Sequence, residues 1–109
     1  MAKKAFITLV LFAPLAIGCL PSDPTVGRGG ITLSPGVQSF YQQYEQERSP
    51  GHFAVSADGR YAHYDYCPEA RCLRGSKTKV IYACEQRSKG SPCKIYGAYG
   101  KVVWEEADG

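Results

Sequence analysis

Five cysteines, two histidines and eight tyrosines are the residues of this chain most able to do chemistry. Four of the cysteines cluster late, as Cys67, Cys72, Cys84 and Cys93. Four thiolates can hold a tetrahedral zinc ion, but Cys-x4-Cys followed by Cys-x8-Cys is not a zinc-ribbon spacing. No Cys-x-x-Cys is present for thiol–disulfide exchange. His63 and Asp65 stand two apart, so on a strand both side chains face one way, as in part of a hydrolytic site. No Ser or Cys can be tied to them as a nucleophile, and the pair reads as a solvated strand face. His52, beside a turn, reads as a surface residue. The expectation is no catalytic residue, no metal, no cofactor and no enzyme.

The remaining cysteine, Cys19, has a different context. Lys3 and Lys4 precede an apolar run, AFITLVLFAPLAI, over residues 5–17. That run is shorter than the roughly 20 residues needed to span a bilayer and suits the core of a secretory signal. It closes on Leu15-Ala16-Ile17-Gly18-Cys19, which resembles the lipobox of bacterial lipoproteins. In that motif small residues admit the peptidase, and the cysteine thiolate accepts the diacylglycerol. The resemblance implies cleavage before Cys19, lipidation of Cys19 and attachment to a membrane. Ala16 stands where the motif usually has Leu. Leu20 rather than Asp after the cysteine points, by the same resemblance, to the outer membrane, facing the periplasm.

Removal of residues 1–18 leaves 91 residues with 11 basic and 10 acidic side chains. A near-neutral domain has no electrostatic case for nucleic acid. A core this small is marginal without covalent staples, and export places the cysteines where disulfides persist. The four late cysteines allow three pairings. Cys67–Cys72 with Cys84–Cys93 is preferred, the first closing a short loop and the second joining a helix to the next strand.

The elements that must position these residues follow from patterning. Residues 19–33, with their Pro, Gly and Ser, read as a flexible tether. Ser34 and Pro35 suit the cap and first turn of a helix over 34–49. Val37, Phe40, Tyr41 and Tyr44 line one of its faces. A domain over 50–105 then begins with a strand from His52 to Ser56, with Phe53 and Val55 on one face. Asp58-Gly59 signals a hairpin, and a second strand runs from Arg60 to Tyr66. Ser76 caps a helix over about 77–89, with Val80, Ile81 and Cys84 as its apolar stripe and Gly90 as its stop. Strands over 93–99 and 101–104 follow, with Cys93 and Ile95 pointing one way, toward the second helix if Cys93 is bonded to Cys84. Glu105, Glu106 and Asp108 read as a solvated acidic end, 106–109 forming the tail. The fold class is α+β: a four-stranded antiparallel sheet of two hairpins, with helices packed on one face and disulfide staples.

Phe53-Ala54-Val55-Ser56, Asp58-Gly59-Arg60-Tyr61, Tyr64-x-Tyr66-Cys67, Ala83-Cys84-Glu85, Pro92-Cys93-Lys94-Ile95-Tyr96 and Val102-Val103-Trp104 together resemble a small cysteine-containing domain of uncharacterised proteobacterial exported proteins. The resemblance covers residues 53–104. It implies the domain boundaries and supports the pairing of Cys84 with Cys93, and it implies no activity.

The tyrosines are the main functional hint. Tyr rings bury well while their hydroxyls stay wet, which suits interfaces. Tyr41, Tyr44, Tyr61, Tyr64 and Tyr66, with Arg60, form the candidate interface. The expected function is a structural or interaction module of an envelope assembly, held at the membrane through Cys19 and binding a protein partner. The alternative is a peptidoglycan- or glycan-binding protein, or a small envelope enzyme or inhibitor.

Overall fold

The computed structural model describes residues 23–68 and 76–106. Cys19, Cys72, the signal segment and the end of the acidic tail lie outside the described residues. The elements are α1 (Pro35–Gln46), β1 (Pro50–Ser56), β2 (Ala62–Tyr66), α2 (Lys77–Arg87), β3 (Cys93–Ala98) and β4 (Lys101–Val102). All sheet pairings between strands are antiparallel, in the order β2-β1-β3-β4. The architecture is α+β, as the pattern of elements predicts.

Local chemistry sets the boundaries. Ser34 caps α1 by accepting the Val37 N–H at 3.2 Å, with Pro35 in the first turn. Ser76 caps α2 by accepting the Lys79 N–H at 3.3 Å. After α2 the chain turns through Lys89 and Gly90, both at positive φ. In the β1–β2 loop Asp58 Oδ1 accepts from the Ser56 hydroxyl at 2.6 Å and the Arg60 N–H at 3.1 Å. Tyr99 and Gly100, at φ 54° and 84°, turn the second hairpin, the mirror-image geometry that matches strand twist.

The helices lie on opposite faces of the sheet, not on one. On the α1 face, Phe53, Val55 and Ala62 meet Val37, Tyr41 and Tyr44, with Phe40, Tyr64, Tyr96 and Trp104 around them. On the α2 face, Ala54, Cys93 and Ile95 meet Val80 and Cys84. The cause is β1, whose Phe53, Ala54 and Val55 are all fully buried. A strand apolar on both sides needs a cover on both sides. A bulge in β3 adjusts the two layers: Phe53 pairs with Gly97 and Ala54 with Ile95, so Tyr96 is the extra residue, and its ring joins the α1 side. Such bulges redirect a side chain locally.

The expected tether is corrected from Asp23 onward. Residues 25–29 lie along the sheet as a strap. Ile95 N–H donates to Thr25 O at 2.7 Å, and Gly27 N–H to Ile95 O at 3.0 Å. Further along, Gly29 N–H donates to Glu105 O and Glu105 N–H to Gly27 O. The strap therefore sits between β3 and the chain end, which is why β4 stops at Val102 instead of reaching Trp104. Trp104 folds over Gly27, where a Cβ would stand 1.9 Å from the indole, and donates Nε1–H to Gly29 O at 2.7 Å. Glu105 stays exposed, as expected of the acidic end, and pairs with Arg28 at 2.8 Å.

Candidate functional site

Cys84 on α2 and Cys93 at the start of β3 form a disulfide with Cα atoms 6.2 Å apart, both buried in the α2-side core. Cys67 is also disulfide-bonded; the expected bond to Cys72 falls outside the described residues. Among the described residues no three of His, Cys, Asp and Glu come together as metal ligands.

Asp65 is held by β1, not by His63. Asp65 Oδ1 accepts the backbone N–H of His52 at 2.7 Å, which commits it to β1. No hydrogen bond joins it to His63 among the described residues. His63 pairs across from Ala54, on the face that α2 covers, with its Nδ1 buried and without a partner among the described residues. Desolvation, and then the nearby Arg87 charge, hold its pKa below the ordinary histidine value. The strand face expected to be solvated is thus half-buried beneath α2. His52 is not a surface residue either, being 6% exposed with its Nδ1 unpartnered and its ring against Tyr99. Burial lowers its pKa as well.

The candidate interface tyrosines separate into two groups. Tyr44 is fully buried; its hydroxyl donates to Gly51 O at 2.7 Å and accepts the Gly100 N–H at 3.0 Å. Tyr41 is buried beside it, ring edge against Phe53, with a hydroxyl that finds no partner among the described residues. Both leave the candidate interface, because the face of α1 that they occupy is the face that covers the sheet. Tyr64 is half-buried and donates to Glu47 at 2.5 Å; desolvation and that carboxylate push its pKa up to about 12. Tyr61 and Tyr66 remain on the surface, 40% and 45% exposed, at the two ends of the β2 region. The sequence reading did not single out Tyr82 and Tyr99 as interface residues, yet they are the most exposed of all. Their positions on the outer side of α2 and in a tight turn were the available signal.

Tyr61 and Arg60 open onto a groove of about 440 Å³, shared with Ser34, Phe40 and Arg87. It lies where the start of α1, the start of β2 and the end of α2 converge. Neither guanidinium has an ion-pair partner among the described residues, whereas Arg28 and Lys77 each hold a carboxylate. The groove thus offers two planar cations beside aromatic rings, a combination that suits carboxylate recognition. Beside it, β2 is the outermost strand of the sheet. Ser56 N–H donates to Tyr61 O, and ladder alternation then turns the backbone groups of Ala62 and Tyr64 outward. No further strand pairs with them among the described residues.

No family model, curated protein or solved structure matches the chain. No helix among the described residues is long and apolar enough to cross a membrane.

Proposed function

We propose that this chain is an envelope lipoprotein, anchored through Cys19 at the outer membrane and acting as an interaction module for a protein partner. It is also read as one of the small cysteine-containing exported domains that its sequence resembles. The observation that carries the binding half of this reading is the groove of Phe40, Arg60, Tyr61 and Arg87 beside the open β2 edge. An acidic segment of the partner would set carboxylates against the two guanidinium groups while its backbone extends the sheet. The anchor half rests on the charged, apolar and small-residue sequence that ends at Cys19.

Two measurements test these halves separately. Radiolabelled palmitate should enter the wild-type protein and not Cys19→Ser, which should accumulate as precursor; labelling of the mutant removes the anchor. Purification from detergent-solubilised envelopes should bring down a stoichiometric partner that Arg60→Glu with Arg87→Glu abolishes. Retention on peptidoglycan alone, unaffected by these changes, would favour the glycan-binding alternative.

A further inference from the structure

The docked strap begins almost at the anchor. Asp23 is the first described residue, and only Leu20, Pro21 and Ser22 separate it from Cys19. Four Cα-to-Cα steps reach at most about 14 Å even when fully extended. The position of Asp23 on the domain is well fixed. Its carboxylate accepts the Thr25 N–H at 2.9 Å and the Thr25 hydroxyl at 2.6 Å, and it pairs with Lys77 in the first turn of α2. Those bonds, Lys77 first, hold its pKa well below the usual carboxylate range.

We propose that this side of the domain, around Asp23, lies against the lipid headgroups, with Lys77, Lys94 and Tyr99 as its contact residues. The reading rests on the lipid anchor at Cys19 proposed above. A lipidated cysteine sits at headgroup level, so about 14 Å of fully extended chain keeps a docked Asp23 within that distance of the polar surface and turns this side of the domain toward it. The residues around Asp23 suit that layer. Lys94 is exposed and donates to Pro24 O at 2.9 Å, next to Asp23. Tyr99, 59% exposed, shares with Asp23, His52 and Lys77 a cleft of about 390 Å³. Ammonium groups near anionic headgroups are attracted within a Debye length, and an exposed tyrosine at that depth keeps its ring apolar-side and its hydroxyl wet. Lys77 and Arg87 are the two ends of α2, about 15 Å apart at helical rise. The groove that holds Arg87 is therefore at the other end of α2 from the anchored strap and stays open to a partner.

The test is amine footprinting of the full lipidated chain in vesicles of phosphatidylethanolamine and phosphatidylglycerol. Lys94 should react severalfold more slowly than Lys89, which is exposed just beyond the C-terminal end of α2. Inserting about ten Gly and Ser residues after Ser22, a lengthening of roughly 17 Å, should restore Lys94. Chain that floats with the vesicles but shows equal Lys94 reactivity with and without the insertion overturns this inference and leaves the anchor standing. Chain that does not float at all overturns both.

Discussion

The two faces of the sheet are held in different ways. On the α1 side, Phe40, Tyr41, Tyr44, Phe53, Tyr64 and Tyr96 form a continuous set of ring contacts, with neighbouring centroids 4.8 to 6.1 Å apart. On the α2 side the buried residues are Ala54, Val80, Cys84, Cys93 and Ile95, with far less apolar volume, and here a disulfide crosses the core. The α1 face has enough apolar area to hold a helix with no covalent bond among the described residues. The α2 face is small and carries two histidines whose buried Nδ1 atoms have no partner among the described residues, and its helix is stapled to the sheet.

Deleting volume from the aromatic face should have the largest effect. Phe53→Ala removes a fully buried ring that touches both the helix and the neighbouring strands, and should destabilise by about 3–5 kcal/mol. For a domain with about 5 kcal/mol in total, that leaves little folded protein. Urea unfolding followed by circular dichroism would read it. A loss under about 1 kcal/mol would show that the α1 face does not carry the fold.

Next comes the staple. Replacing Cys84 and Cys93 together by Ala should cost about 3 kcal/mol on the loop-entropy account, or a fall of roughly 12–24 °C in Tm. Hydrogen exchange should show α2 losing protection before α1. Equal loss in both helices would contradict the contrast between the faces.

The histidines give the α2 side an acid sensitivity that the α1 side lacks. Burial lowers the folded pKa of His52 and His63 below 6.5, so in acid the unfolded chain takes up protons first. Stability is then full above pH 6.5 and falls as pH drops below it, by up to about 1.4 kcal/mol per unit for each histidine. The groups facing them are Asp65, Asp23 and Lys77 around His52, and Arg87 and Asp65 around His63. Denaturation at stepped pH should show this slope, and His52→Leu with His63→Leu should flatten it. An unchanged slope would place the acid sensitivity elsewhere.

The smallest effect separates two adjacent tyrosines of the aromatic face. Tyr44→Phe breaks the bonds to Gly51 O and from Gly100 N–H and should cost about 1–2 kcal/mol. Tyr41→Phe deletes a buried hydroxyl with no partner among the described residues and should be neutral within about 0.5 kcal/mol, or stabilising. The reverse order would mean that the Tyr41 hydroxyl is the one that is bonded.

Much of the fold was legible because its signals are local. Ser34-Pro35, Ser76, Asp58-Gly59 and Gly90 mark their turns and caps by chemistry within four residues. The pairing of Cys84 with Cys93 was the preferred one of three, with periodicity placing Cys84 on the apolar stripe of its helix and the family resemblance supporting the bond. Three features were not legible, each because it depends on distant contacts. Ala54 reads as neutral alone, and only its burial shows that β1 is covered on both faces. Thr25 to Gly29 look like a linker by composition, but Gly27 is small so that Trp104, far along the chain, can close over it. Tyr41 and Tyr44 lie on the apolar face that periodicity marks, but their hydroxyls make them look fit for an interface, and only the docking of that face on the sheet shows that they are buried. The groove of Arg60, Tyr61 and Arg87 was half visible: Arg60 and Tyr61 adjoin the hairpin turn, while Arg87 arrives only through the docking of α2.

The most direct test of the binding account is site-specific photo-crosslinking in intact cells, with a benzophenone side chain replacing Tyr61 in one strain and Gln42, on the exposed side of α1, in another. The account predicts a discrete protein adduct from position 61 and none from 42. It also predicts that Arg87→Glu suppresses the adduct. Adducts from position 42 with none from 61 would contradict it and move the binding surface to the back of α1.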